Sequence, residues 1–178
     1  MKRIILHIAT SMDGRIASPD GGLGWLKGFS SSEKIDYGYK DMLASVDTIV
    51  MGGKTYRELL NMDIVWPYPN QHTYVVSHHK WRTTQENVSF ITENIIDTIS
   101  ELRNKSGKDI WLTGGGELIS MLLAADLVDQ MQIVYMPIVL GEGIILFPEQ
   151  SKESQWNLME TKHYDSDVLM VRYKKIIS

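Results

Sequence analysis

The chain has 178 residues, 43% of them apolar and 22% charged, with a formal net charge of -4 and no cysteine. That length suits a single domain spanning 1–178 with a full hydrophobic core. The acidic balance, with no basic run longer than Lys174-Lys175, excludes a nucleic-acid footprint. Without cysteine there is no disulfide framework, thiolate nucleophile or thiolate metal site, and the histidines lack ligand spacing, so no metal is expected. The opening MKRIILHIATSMDG lacks the apolar core of a signal peptide. The expectation is a cytoplasmic protein with a small-molecule partner and no membrane partner.

In chain order, residues 3–9 (RIILHIA) read as a buried strand, followed by a polar, Gly/Ser/Asp-rich loop to about residue 30, long enough to act as a lid. Ser30, Ser31 or Ser32 is positioned to cap a helix running to about Ala44, with Glu33 complementing its N-terminus. Residues 48–51 form the next strand, and Arg57 to Asn61 finish a short helix. TYVVS (73–77) and residues 88–91 read as further strands. Thr92 or Asn94 caps a helix in which Ile95, Ile99 and Leu102 share one apolar face. Residues 110–112 are a strand, about 116–125 a helix, and 131–139 a long apolar strand. Two alternating segments, 156–164 and 168–175, read as a hairpin around Asp165-Ser166-Asp167. Alternating strands and helices closed by antiparallel strands predict an α/β protein with a mostly parallel sheet.

Two strand-to-helix junctions carry the chemistry. In DIWLTGGGELISMLLAADL (109–127) an apolar run meets Gly114, Gly115 and Gly116 and then a helical pattern. In DTIVMGGKTYRELL (47–60) a β-branched run ends in Gly52 and Gly53, with Lys54 and Thr55 opening the next helix. The first N–H groups of a helix lack intrahelical partners and carry partial positive charge, so such turns accept anionic groups at close range. The alternative reading is that the glycines only tighten the connections. Two such turns suit a long phosphorylated ligand such as a dinucleotide. Neither turn is a standard motif. A phosphate-binding P-loop requires glycine where Thr48 stands, and the Rossmann fingerprint requires Gly or Ala where Ile119 stands.

SMDGRIA (11–17), DTIVMGGKTY (47–56), VVS (75–77), GGGEL (114–118) and ADLVDQMQIVYMPIVLGEGIILFPE (125–149), taken in that order, resemble the dihydrofolate reductase-like superfamily. The last segment resembles its bacterial riboflavin-biosynthesis reductase branch. This resemblance implies a three-layer α/β fold with a central, mixed, mostly parallel eight-stranded sheet, a C-terminal antiparallel hairpin and NADPH bound across the carboxyl ends of the strands. It implies that Ala9, Ile16 and Ala17 lie beside the nicotinamide. Gly52, Gly53, Lys54 and Thr55, together with Gly114, Gly115, Gly116, Glu117 and Leu118, correspond to the two diphosphate contacts. Ser77 and His78 lie near the adenine ribose and its 2′-phosphate, and Gly114-Gly115 is the site of the family's cis peptide bond. Members of the branch often dimerise through the late sheet region, which makes a homodimer an expectation.

Departures from the family pattern bear on specificity. Gly53 stands where the folate enzymes usually carry an arginine for the 2′-phosphate; Lys54, His78, His79 and Lys80 offer replacement charge, or His78 to Lys80 form a solvated loop. Gln71 stands where a folate carboxylate meets arginine, and an amide does not replace a bidentate guanidinium. The substrate expected is therefore a small heterocycle of pyrimidine or pterin type rather than folate, as in a 5-amino-6-(5-phosphoribosylamino)uracil reductase.

The folate enzymes that the chain resembles carry one catalytic carboxylate on the helix after the lid, and ungapped matching back from MGGKT puts Asp36 at that position, where it would bind the heterocycle with its pKa raised by partial burial. Its alternative role is favourable negative charge at a helix start. Asp13 is assigned to the substrate or to shaping its own loop, and Trp25 and Tyr37 to the pocket lining or to simple packing. The functional reading is an NADPH-dependent oxidoreductase. Its rivals are an NADP-binding sensor or accessory protein without catalysis and, more remotely, phosphoryl transfer based on Gly53-Lys54-Thr55.

Overall fold

The computed structural model describes residues 1–29, 36–149 and 151–176. The elements are β1 (Ile4–Ser11), β2 (Arg15–Ala17), a 3-10 helix (Gly24–Gly28), α1 (Tyr39–Ser45), β3 (Val46–Gly52), α2 (Gly53–Asn61) and β4 (His72–Val76). They continue with β5 (Val88–Ile91), α3 (Ile95–Asn104), β6 (Asp109–Gly114), α4 (Gly116–Ala124), β7 (Gln130–Met136), β8 (Ile144–Ile145), β9 (Trp156–His163) and β10 (Leu169–Lys175). Eight strands form a sheet in the order β5-β4-β3-β6-β1-β7-β10-β9. All neighbours from β5 to β7 pair in parallel, and β10 runs antiparallel to both β7 and β9. The fold is dihydrofolate reductase-like, as the motif order implies.

The sheet is covered on both faces, which explains the unbroken apolar runs of its central strands. On one face Ile4 and Leu6 of β1 and Ile110 and Leu112 of β6 pack with Ile99 of α3 and Leu122 of α4. On the other, Ile49 and Met51 of β3, Val75 of β4 and Trp111 of β6 pack with Met42 of α1 and Tyr56 of α2. Consecutive residues of a strand serve opposite faces, and here they serve different helix pairs.

The N-terminal ends of the strands are tied by charge. Lys2 Nζ lies 2.5 Å from Asp47 Oδ1 and 3.1 Å from Thr48 Oγ1. Asp129 accepts the Ile4 N–H at 2.8 Å and pairs with Arg103. These contacts lock the end of the sheet opposite the glycine turns.

Several boundaries differ from the sequence reading. The helix ending near Ala44 is α1, which begins at Tyr39; Ser30, Ser31, Ser32 and Glu33 lie outside the described residues. Asn94 occupies the N-cap of α3 but in a left-handed conformation, with no side-chain capping bond. β6 extends to Gly114, past the expected Leu112. β7 stops at Met136 rather than Val139, because Pro137 has no N–H to donate and Ile138 N–H turns back to Met136 O at 2.8 Å. The pairing of β2 with β8 is too short to leave a pattern in the sequence.

Leu112 sits at 0% exposure in the central strand β6. Leu112→Ala is expected to lower stability by about 2–5 kcal/mol, read as a reduced urea midpoint with an unchanged slope; a loss below about 1 kcal/mol would contradict its central position.

Candidate active site

β3 and β6 are adjacent and parallel, with Met51 paired to Gly114. Their helices nevertheless leave for opposite faces, since α2 packs with Ile49 and Met51 while α4 packs with Leu112. Divergence of helices from neighbouring strands opens a crevice at the carboxyl ends, the usual ligand position in parallel α/β sheets. Both glycine turns meet there. A Cβ on Gly52 would come within 3.5 Å of Gly115 N and 3.6 Å of Gly114 O, so the turns touch through bare backbone. The Gly114-Gly115 bond is cis, and Gly114 has φ 113°.

The helices that start from these turns lack side-chain caps, because their N-caps are Gly52 and Gly115. Their first N–H groups are left for a ligand. The residues here therefore fit an extended anion such as a diphosphate. Lys54 is exposed and Thr55 half-buried in the first turn of α2, while Glu117 is exposed and Leu118 buried in that of α4. β8 completes the wall: a Cβ on Gly116 would come within 2.7 Å of the Ile145 carbonyl oxygen. Through β8, the β2 residues Ile16 and Ala17 are brought beside the α4 turn, and Gly143 lies so close to the Ala17 carbonyl that a Cβ would collide with it.

Ser77 follows β4 directly, and its side chain occupies the space beside Gly53, where a Cβ would come within 3.0 Å of Ser77 Oγ. A larger residue at 53 requires the Ser77 side chain to give way. Ser77 Oγ accepts the Trp81 indole N–H at 3.2 Å and the His79 N–H at 3.3 Å. The Arg57 guanidinium lies 5.4 Å from the centre of the Trp81 ring. His78 is exposed beside this group. Arg57 was read only as part of a short helix and Trp81 was not singled out, because only the fold joins the second turn of α2 to the loop after β4.

A second group of residues lies on the α1 face of the sheet. Ala9, Trp25 and Tyr37 pack in one cluster with Val134, Met136 and Met170. Tyr37 has φ 53°, and its hydroxyl donates to Phe29 O at 3.0 Å and lies 3.0 Å from Ser166 Oγ. Asp36 precedes it at the start of α1. Its carboxylate accepts the N–H groups of Gly38 at 3.1 Å and Lys40 at 2.9 Å. These bonds stabilise the charged form, the Lys40 N–H most, and outweigh burial, so the Asp36 pKa is lowered. The expectation of a raised pKa is thus reversed, because the carboxylate braces the first turn of α1.

Asp13 shapes a loop. It accepts Ser11 Oγ at 2.6 Å and the N–H groups of Leu140 at 3.0 Å and Gly141 at 2.8 Å, joining the SMDG turn to the GEG loop. It also borders an open cavity of about 280 Å³ with Thr10, Tyr135 and Phe147. The β1–β7 pair Thr10 and Tyr135 lies one step along from Ala9 and Val134, hence on the opposite face of the sheet from the Tyr37 cluster.

The sequence model of the RibD C-terminal domain matches residues 2–170. The chain belongs to the RibD C-terminal domain family. It is 35% identical to the Bacillus subtilis protein YwjB over 167 residues, covering 94% of this chain and 95% of that one. A solved structure described as a putative riboflavin biosynthesis protein from Shewanella sp. PV-4 superposes with TM-score 0.87 at 30% identity, covering 98% of this chain and 99% of the other. Enterococcus faecalis dihydrofolate reductase, solved with NADP(H), superposes with TM-score 0.70 at 17% identity, covering 97% and 96%, a likeness of fold alone. Proteins described as reductases are thus among this chain's structural neighbours.

The Ser11, Leu140 and Gly141 bonds hold the Asp13 carboxyl down at about 2, from an ordinary 3.8. A lowered acid favours the folded state above its unfolded pKa, and the benefit is lost as pH falls through the folded value. The stability difference between wild type and Asp13→Ala is therefore expected to be full above about pH 4 and to shrink towards pH 2, as measured by urea denaturation across that window; a pH-independent difference would remove the carboxylate from the account.

Proposed function

We propose that this protein is an NADPH-dependent reductase that transfers a hydride to a small planar heterocycle of pyrimidine or pterin type. The observation that carries the reading is the contact of two glycine turns, each opening an uncapped helix, at a crevice between adjacent parallel strands. NADPH supplies the hydride. Gly52 to Thr55 and Gly114 to Leu118 hold its diphosphate through main-chain N–H groups; Ala9, Ile16 and Ala17 border the nicotinamide. Ser77 and His78 hold the adenine ribose, and Arg57 beside Trp81 supplies the charge for the 2′-phosphate that Gly53 cannot.

Asp36 acts as an ionised carboxylate. It accepts a ring N–H of the substrate, favouring protonation at the reducible bond, while the proton itself comes from water. Trp25 and Tyr37 wall the substrate side, and Asp13 serves the site by holding the SMDG turn. The rival reading, a cofactor-binding protein without hydride transfer, draws on the same observation that fixes Asp36 as a helix brace. It predicts NADPH binding with no NADPH oxidation by any heterocycle. A homodimer belongs to the proposal through the exposed apolar side chains Leu158, Met159 and Leu169 of β9 and β10. Among the described residues no helix is long and apolar enough to cross a membrane, and the cytoplasm is the compartment proposed.

Asp36→Asn is expected to cut turnover about 100-fold or more while leaving NADPH affinity within about twofold, measured by energy transfer from tryptophan to the nicotinamide and by absorbance loss with aminouracil and dihydropterin acceptors. Unchanged turnover would remove Asp36 from the chemistry. Arg57→Ala is expected to narrow the preference for NADPH over NADH by about tenfold, the effect of one charge-assisted contact; an unchanged ratio would return that role to Lys54, His78, His79 or Lys80.

A further inference from the structure

On the face of the sheet that carries α4, the strands run on past the helix. α4 packs with β1 and β6, while β7, β10 and β9 lie further along the sheet. A cavity of about 420 Å³ opens there. Its floor is Met131 and Ile133 of β7 with Tyr173 of β10, which pairs with Met131 and so points to the same face. Leu123 of α4 bounds one side, and Phe147 and residues 151–154 bound the other. Phe147 and Tyr135 also border the smaller cavity beside Asp13, so the two chambers form one groove. The larger chamber contains none of the residues assigned to cofactor or heterocycle. Its floor lies opposite Val134, which packs with Tyr37 on the α1 face.

Aromatic rings dominate the wall. Tyr135, Phe147, Trp156 and Tyr173 all line this chamber, whose size and apolar character are those of a small-molecule site. Phe147 is 40% exposed, so a ring laid against it takes apolar surface out of water on both sides. The Trp156 indole N–H is already spent on Ser154 Oγ at 2.9 Å, which leaves its ring surface to a ligand. Burial, and after it the charge of Tyr173, push the Tyr135 hydroxyl up from an ordinary 10.0. It therefore keeps its proton at neutral pH and can donate.

Charge at the rim is uneven. Lys152 lines the chamber, and Lys175 stands two residues after Tyr173 on the same face of β10, paired across to Trp156. Both ammonium groups lean on the single carboxylate of Asp126. Lys152 and then Lys175 hold that carboxyl down at about 2, from an ordinary 3.8, so at neutral pH two cations share one anion. Glu153 is the one acid in the lining of the larger chamber, and it is exposed. Aromatic walls beside hydroxyl donors and surplus ammonium charge complement a flat ring with an anionic end. We propose that this groove binds a planar aromatic carboxylate, its ring between Phe147 and Trp156 and its carboxylate towards Tyr173 and Lys152. The site is separate from the glycine crevice and stands whether or not the protein is a reductase.

The test is titration of the whole protein with 2-naphthoate and with its neutral counterpart 2-naphthamide, followed by calorimetry and by the indole N–H resonances. The acid is expected to bind saturably, one per chain, and about tenfold more tightly than the amide, the effect of one charge-assisted contact. The Trp156 resonance, assigned by its loss in Trp156→Phe, should move on binding. That of Trp25, which packs on the opposite face and is assigned through Trp25→Phe, should stay. Phe147→Ala should weaken both ligands about tenfold, and the double variant Lys152→Gln with Lys175→Gln should erase the preference for the acid. No saturable binding by folded wild-type protein, equal affinity for acid and amide, undiminished binding by folded Phe147→Ala, or an unchanged acid preference in the folded double variant would each overturn the assignment. So would movement of Trp25 in place of Trp156, which would put the probe on the other face. A Trp156 resonance that shifts with protein concentration but not with 2-naphthoate would give the groove to a second copy of the chain and sink the proposal.

Discussion

The structure turns on one close approach: two strand-to-helix turns meeting through main-chain atoms at the carboxyl ends of β3 and β6. Parallel neighbours in a sheet bring their turns to the same end, and opposite departure of α2 and α4 opens the space between them. Glycine at 52 keeps the contact with the other turn as backbone, glycine at 114 takes a φ of 113°, and glycine at 116 admits the Ile145 carbonyl. The uncapped helices follow from glycine at both N-caps and the close approach of β8 from glycine at 116, while at 53 the Ser77 side chain is what crowds a larger residue.

Around it the molecule separates tasks by location. Charged ties such as Lys2 to Asp47 and Arg103 to Asp129 gather at the N-terminal ends of the strands, where they hold the sheet without entering the crevice. The carboxyl ends of β3 and β6 carry the uncapped first N–H groups of α2 and α4. Open donors at that end suit ligand-binding α/β proteins, in which a ligand completes them. Asp36 illustrates the economy of such a site: the carboxylate that braces α1 is also the one assigned to the substrate. Its lowered pKa makes it an acceptor at neutral pH, so the substrate contacts assigned to it are those of a charged oxygen.

What the sequence by itself determined was local. The alternation of apolar runs with helical patterns located the central strands and helices, because period and turn residues are short-range properties. The two glycine junctions were legible for the same reason, since glycine between a β-branched run and a helix has few other uses. The order of motifs conveyed the superfamily and its cis Gly114-Gly115 bond. Tertiary structure decided everything that depends on which segments become neighbours. Pro137 ends β7 early through its missing N–H, and the two-residue β8 exists only because β2 lies against it. Arg57 and Trp81 come together across 24 positions of chain, and Ser77 crowds any side chain at 53. The row of His7, Gln132, Arg172 and Glu160 is invisible in sequence because each member sits in a separate strand; register alone aligns them. The ionisation of Asp36 was misjudged for a related reason. A carboxylate's pKa is set by the donors that face it, and those of Gly38 and Lys40 were fixed only once the turn had closed.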